Sequence, residues 1–388
     1  METSAIIFVI CLFIVFYSYL GYGILLGVLV RFFGKKPKFE EVSDELLPDV
    51  AFVVAAFNEQ DIIINKIENT LDLNYPQDKL HLYFVTDGSD DLTAKIVGLF
   101  PQVHVLHQDA RKGKLSAVDR VMKLVKEPIT IFTDANAMIN KDGVLNMVRH
   151  FQNQQVGAVA GEKCVAMEDD AASAGEGIYW KYESLLKKWD YSLHSVVGAA
   201  GELFAIRTEL YEKPEPDTLI EDFVMTMRIS AQGYRVAYEP KAQAVESSSE
   251  SLEEEMKRKV RISAGGIQAI IRLAYVLNPF KYGVLTFQYV SHRVLRWTLA
   301  PLSLMLLFVT NIFLLETGHW FWMLTMTGQA AFYIAAIAGW YLEASNIRVK
   351  ALFVPLYFTF MNLNVYLGLI KLMSGNQSVV WSKAKRKS

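Results

Sequence analysis

Charge is distributed along this chain in a way that leaves few options for folding. Of its 80 Asp, Glu, Lys and Arg residues, 70 lie between Arg31 and Arg296, so both flanks are almost free of charge. Thr3 to Val30 holds no charged residue over 28 positions. A helix needs roughly 20 apolar residues to cross the hydrocarbon core of a bilayer, so this run is long enough to span one. A cleaved signal peptide is a poor match, because Met1-Glu2-Thr3 is acidic where a basic start belongs and the apolar run is too long. Trp297 to Leu315, Trp320 to Leu342 and Ala351 to Ile370 are three further candidate spans. The sequence thus predicts a water-soluble block held to a lipid bilayer by helices at both ends.

Basic residues near segment ends give the orientation. Arg31, Lys35, Lys36 and Lys38 follow the first span, Arg293 and Arg296 precede the second, and Arg348 and Lys350 separate the third from the fourth. All three sets fit the cytoplasmic side together, which makes this a multi-pass protein of the cell membrane with its charged block in the cytoplasm. Four spans beginning outside would also finish outside, yet Lys383, Lys385, Arg386 and Lys387 make the tail basic. Either that tail is exported or one apolar segment does not cross. The expected divisions are a membrane helix in 1–33, a cytoplasmic domain in 48–250, amphipathic interfacial helices in 251–297, about three membrane helices in 298–372 and a basic tail in 373–388. Cys11 and Cys164 are too few and too far apart for a disulfide framework or a thiolate metal site, which fits a reducing compartment. A net charge of −2 lacks the basic surplus of a nucleic-acid binder, so no nucleic-acid partner is expected.

Inside the charged block, short apolar runs alternate with helical patterns. Val50–Val54, Leu82–Val85, Val103–Leu106 and Ile129–Phe132 read as strands, followed by helices over 61–71, 91–99, 114–126 and 143–152, with Val156–Ala160 as the last strand. Such alternation predicts an α/β domain with a parallel sheet and helices on both faces, whose ligands collect beyond the carboxyl ends of the strands. Those ends carry chemistry. Asp87 opens the oxygen-rich turn Asp87-Gly88-Ser89-Asp90-Asp91, Arg111-Lys112-Gly113-Lys114 follows the third strand, and Asp134-Ala135-Asn136 follows the fourth. Read alone, Asp87 could be a turn residue, the basic run a solvated surface, and Asp134 either a cap or a cation ligand. Acid, base and acid on one sheet edge argue jointly for a site.

From about Asp49 to Arg296 these features, in this order, resemble the family 2 inverting glycosyltransferases, and most closely the membrane-embedded synthases of cellulose, chitin-like oligomers and poly-N-acetylglucosamine. The matching pieces are Ala56-Phe57-Asn58-Glu59, Asp87-Gly88-Ser89-Asp90-Asp91, Gly113-Lys114, Asp134-Ala135-Asn136, Gly201 with Ala205-Ile206-Arg207, and Ile220-Glu221-Asp222. The resemblance implies a GT-A fold, which is a Rossmann-like nucleotide-sugar-binding domain, flanked here by transmembrane and interfacial helices. It implies that Glu59, Asp87, Lys114, Asp134 and Arg261 bind the nucleotide sugar, and that Gly201 and Arg207 lie on the acceptor side. Asp222 matches the catalytic base, with Glu221 beside it. Asp134 and Asn136 match the family's D-x-D motif, which works with a divalent cation, Mg2+ or Mn2+. Asn136 departs from that motif by contributing no charge. The acids at 221 and 222 also open a helical stretch, where the helix dipole favours negative charge. Arg258-Lys259-Val260-Arg261-Ile262 stands where processive members carry Gln-x-x-Arg-Trp, so only the Arg is kept.

The expected function is inverting transfer from a nucleotide sugar, with a UDP-linked donor expected, to a growing glycan at the cytoplasmic face, with translocation through its own helices or an export partner. The rival enzyme reading is transfer of one sugar to a polyprenyl phosphate or glycolipid acceptor. The reading from another class is a non-catalytic membrane scaffold, prompted by Asn136 and the altered Arg-x-x-Arg segment. The seven histidines, among them His150 and His292, lack ligand spacing and read as structural. Tyr179, Trp180 and Trp189 read as packing residues or groove lining, and Gln329 and Asn362 as helix-to-helix hydrogen-bonding residues within the spans.

Overall fold

The computed structural model describes residues 2–37, 39, 43–165, 171–247, 252–345, 347 and 349–375, so most of the basic tail lies outside the described residues. Its strands are β1 (Val50–Ala56), β2 (Leu80–Asp87), β3 (Val103–Gln108), β4 (Ile129–Asp134), β5 (Met138–Ile139), β6 (Val156–Val165), β7 (Leu203–Arg207) and β8 (Arg235–Glu246). They form one sheet in the order β3-β2-β1-β4-β7-β6-β8-β5. The four strands β3, β2, β1 and β4 are parallel, as the alternation requires. The second half is not: β7 lies antiparallel between β4 and β6, and β5 is antiparallel to β8. The parallel sheet expected from the alternation is thus the first half of a mixed one. Val156–Ala160 is also not the last strand, because β7 and β8 follow.

The helices of this domain are α3 (Ile63–Leu71), α4 (Thr93–Val97), α5 (Lys114–Met122), α6 (Gly143–Val148), α7 (Ala171–Leu193) and α8 (Glu221–Ala231). They follow α1 (Glu2–Phe16) and α2 (Tyr22–Phe33), which a π-helical segment at Tyr17–Gly21 joins into one long rod. α4 is shorter than the 91–99 pattern because Asp91 turns its carboxylate onto the Thr93 N–H at 2.9 Å, closing a local turn in place of a helical one. β1 is buried along its whole length, Phe52 and Phe84 are inaccessible, and Phe132 stacks on Phe204 across β4 and β7 at 4.8 Å. This apolar layer makes the strand ends rigid enough to present side chains precisely.

Beyond the domain come α9 (Leu252–Arg272), α10 (Pro279–Tyr282), α11 (Val284–Tyr289), α12 (Leu295–Trp297), α13 (Leu299–Leu315), α14 (Trp320–Ala344) and α15 (Lys350–Met373). Among the described residues three helical units are long and apolar enough to cross a membrane: residues 2–33, α14 and α15. A fourth is available if 284–297 and α13, bent by 49° at Thr298, count as one. α7 fastens the domain to this helical set. Tyr182 and Trp189 press onto Gly23 and Gly27 of α2, where a Cβ on Gly23 would stand 2.4 Å from the Tyr182 hydroxyl. Deeper in the same junction, buried Asp190 accepts from Tyr22, from Gln288 Nε2 at 2.9 Å and faces His292 Nδ1 at 2.6 Å. Glu183 meets His292 at 3.3 Å, Arg293 at 3.6 Å and Arg296. His292 and His150, which faces Glu239 at 3.0 Å, are thus structural, as expected.

Candidate active site

The site is assembled where β2 and β4 end and α5 and α8 begin. Asp134 is the last residue of β4, and its carboxylate does not cap the following turn: it accepts from Lys114 Nζ at 2.6 Å. Lys114 is the first residue of α5, and the same ammonium stands 3.4 Å from Glu221. Gly201 fills the space between. A Cβ there would lie 3.3 Å from Asp222 Oδ2 and 3.4 Å from Lys114 Nζ, which places Gly201 against both the lysine and the α8 acid. One cation therefore joins three acids drawn from sequence positions nearly ninety residues apart.

Local sequence explains each placement. Ile220 occupies the N-cap of α8 without a side-chain cap bond, and Glu221 and Asp222 follow it as first-turn residues. Arg261 on α9 donates to the Leu219 carbonyl at 3.1 Å, and Gln268 accepts from the Leu219 N–H at 3.1 Å, which ties α9 to the start of α8. Asp87 turns into the β3–α5 loop, taking the Lys112 and Gly113 N–H groups at 2.9 and 2.6 Å and Arg120 at 3.2 Å. Gly113, at φ +92°, supplies the left-handed turn that aims those groups. Glu59 is buried at the start of α3, its N–H bonded to Thr93 at 2.8 Å and its carbonyl accepting from Ile63 at 2.9 Å. Asn58, at φ 52°, exchanges hydrogen bonds with Asp90, at 2.6 and 3.1 Å, and so locks the β1 and β2 turns together. Arg111 lies over the Phe57 ring at 3.5 Å, a cation–π contact.

The electrostatics follow from burial and crowding. Burial raises the Asp222 carboxyl to about 7, with Glu221 adding to the rise, Lys114 opposing it and Glu202 adding again. Burial raises Asp134 as well, against the pull of Lys114 and with help from Glu246 and Glu202. Burial alone would lower Lys114, but Asp134, Glu221 and Asp222 together raise it, so its ammonium stays charged. Glu202 is held well down against burial by Lys163 and Arg258 and remains a fixed negative charge beside the site.

Arg207 does not join this group. It pairs with Ile129 at the opposite end of β4, ~16 Å from Asp134 at about 3.3 Å per residue. There it donates to the carbonyls of Val156 at 2.9 Å, Phe151 at 2.8 Å and Asn153 at 3.2 Å. β7 runs antiparallel, which carries Arg207, expected on the acceptor side, away from the Asp134–Asp222 group. Sequence reading also missed Glu202, Lys163 and Arg120. The apolar run 203–207 directly after Glu202 was the available signal for the first.

Among the described residues no three His, Cys, Asp or Glu side chains cluster as a metal cage. Asp134 with half-buried Asn136 two residues on offers one charged and one neutral oxygen donor. That set fits a hard divalent cation that takes most of its ligands from phosphate and water.

A mixed α/β sheet that gathers acids and a lysine over its strand ends, with helices that can enter a membrane, has the architecture of a GT-A glycosyltransferase. Residues 48–265 match the family described as glycosyltransferase like family 2, and the chain belongs to that family. It is 26% identical over 251 residues to the poly-β-1,6-N-acetyl-D-glucosamine synthase of Staphylococcus aureus (strain MSSA476), covering 61% of this chain and 58% of that protein. The corresponding synthase of Staphylococcus epidermidis is 23% identical over 263 residues, covering 64% and 63%. The chain thus spans less than two thirds of the length of these relatives. A solved mannosyltransferase, PcManGT from Pyrobaculum calidifontis in complex with GDP-Man and Mn2+, superposes with a TM-score of 0.73 at 19% identity, over 96% of this chain and 100% of that one. That likeness establishes the fold.

Proposed function

We propose that the protein is an inverting glycosyltransferase that uses a nucleotide sugar at the cytoplasmic membrane face to elongate a polysaccharide. The observation that carries this reading is the Lys114 ammonium bridging Asp134 at 2.6 Å and Glu221 at 3.4 Å, with Asp222 across Gly201. It sets a cation between a carboxylate suited to the donor diphosphate and a carboxylate pair suited to an acceptor.

In this reading Asp222 takes the proton from an acceptor hydroxyl, whose oxygen attacks the anomeric carbon of the donor sugar. The bond to the nucleoside diphosphate breaks on the opposite face, so a single displacement inverts the anomeric configuration. Lys114 and Arg261 offset the charge growing on the departing diphosphate. Asp134 and Asn136 would hold a divalent cation, Mg2+ or Mn2+, which supplies Lewis-acid neutralisation of the same phosphates. Glu59 and Asp87 serve the nucleoside side. Three of the lone-pair directions of Asp87 are occupied by protein donors, so its main contribution is to shape the Lys112–Gly113 turn.

The basic residues of the tail favour a cytoplasmic carboxyl end. α15 packs against α9, the first helical rod and α14, with Phe358 5.7 Å from Phe332 and with Leu352 and Leu356 against Gly339. Tyr357 lies by Lys259, Asn362 accepts from Tyr19 at 2.7 Å, Tyr366 donates to the Pro301 carbonyl at 2.6 Å, and Gly368 meets Ala264. In this reading α1–α2, α13 and α14 cross and α15 does not, so that the chain ends on the side of its catalytic block. Reporter fusions after Met373 should show a cytoplasmic carboxyl end; an exported one refutes this arrangement.

The polymer reading is tested with radiolabelled UDP-N-acetylglucosamine and UDP-glucose supplied to purified protein. Label in polymer supports it, and label confined to one organic-extractable lipid establishes single transfer instead. One observation favours that rival: Arg258 is committed to Glu255 at 2.8 Å and Ile262 offers no ring, so the processive motif is incomplete.

A further inference from the structure

Lys66 is a buried cation that the proposed chemistry does not use. It sits in the middle of α3 with no solvent exposure, and its ammonium donates to the Ala137 carbonyl and reaches the Thr133 hydroxyl at 3.4 Å. The Phe52 ring lies 5.7 Å away. Among the described residues no carboxylate comes within ion-pair distance of it, although Asp134 and Glu246 act on it through space. Burial brings its pKa down to about 7. An ammonium in such a place is costly relative to an apolar side chain of the same length. The core around Phe52, Ile63 and Ile67 would accept a methionine there without a cavity.

What Lys66 holds is the turn that carries the candidate metal residues. Thr133 and Ala137 are the two ends of the segment that contains Asp134, Ala135 and Asn136. One turn further along α3, Asn69 exchanges two hydrogen bonds with Ile139, both 2.8 Å. α3 thereby pins the exit of β4 at 133, 137 and 139, and its first residue, Ile63, donates to the Glu59 carbonyl at 2.9 Å. Thr133 also donates to the Glu202 carbonyl at 2.8 Å, so the same anchor reaches the strand leading from Gly201.

We propose that Lys66 is a positioning residue that fixes the Asp134–Asn136 turn in the geometry needed to take a divalent cation. The inference rests on the cation reading under Proposed function for its metal arm and on geometry alone for its structural arm. The test uses Lys66→Met and Lys66→Gln in the full-length protein in detergent. Three quantities are measured: thermal midpoint, amide hydrogen exchange of the peptide spanning 134–140, and Mn2+ binding in the presence of UDP, followed by its electron paramagnetic signal.

Lys66→Met should fold with an unchanged or higher midpoint, lose protection at least tenfold in the 134–140 peptide, and bind Mn2+ about tenfold more weakly. Lys66→Gln, which keeps a donor, should recover part of both losses. Unchanged exchange and Mn2+ binding in Lys66→Met overturn the proposal, as does loss of protection spread evenly over the whole domain. A wild-type protein that takes up no Mn2+ refutes the cation reading instead, and the exchange measurement then decides the role of Lys66 by itself.

Discussion

Asp222→Asn separates catalysis from stability, because the two should move in opposite directions. The carboxyl is raised from 3.8 to about 7, chiefly by burial and then by Glu221. Holding its charge in the folded protein therefore costs up to about 4 kcal/mol, and about 2–4 kcal/mol once its partial exposure is allowed for. The sign is that of a folded-state pKa lying above the unfolded one. Stability from this group is fully present below pH ~4 and is lost as the pH rises through about 7. Asparagine is nearly isosteric and carries no charge. At pH 8.5 the variant should melt roughly 4–8 °C higher than the wild type in the same detergent, and near pH 4 the two should coincide. Sugar transfer from the labelled donor should fall about 10²–10⁴-fold, the usual worth of a general base. The wild-type rate should itself decline as the pH drops below about 7. Undiminished transfer by Asp222→Asn refutes the base assignment, and an Asn variant less stable than wild type at pH 8.5 refutes the electrostatic account of the site.

Three further outcomes are expected. Treatment with EDTA should abolish transfer and Mn2+ or Mg2+ should restore it, whereas Asp134→Asn should leave a residue that added metal does not rescue; activity assays before and after chelation check both. Arg207→Gln should leave the acceptor KM unchanged while lowering stability by about 1–3 kcal/mol, since buried carbonyls of Phe151 and Val156 lose their donor, and denaturation alongside kinetics tells the two effects apart. Glu183→Gln should cost about 3–5 kcal/mol by leaving Arg293 and Arg296 without their carboxylate at the membrane junction, with specific activity of the folded fraction retained.

Much of this protein can be read from order alone. The uncharged flanks announced helices for lipid, and the alternation of apolar runs with helical patterns announced β1 to β4 and the helices between them, because both signals depend only on neighbours in the chain. The strand ends at Asp87 and Asp134, and the first turn of α8 at Glu221 and Asp222, were legible for the same reason. What could not be read locally is anything decided by pairing at a distance. Whether Leu203–Arg207 joins β4 in parallel or antiparallel depends on where the intervening chain of about seventy residues returns. That return put Gly201 in the site and Arg207 at the far end of the sheet.

The tertiary structure likewise decided the meaning of Asp134. As a residue after a strand it is equally suited to a cap or a ligand, and only the meeting of α5 with β4 gave it Lys114 as a partner. Lys66 shows the limit most plainly. In sequence it is one lysine on an amphipathic helix, where the ordinary expectation is a solvated charge. Its burial under the 134–137 turn is a property of how α3 packs, and the cost of that burial depends on the loss of water on every side. Composition and periodicity fix which surfaces are apolar and which residues stand at strand ends. Desolvation and long-range pairing decide which of those residues acquire chemistry.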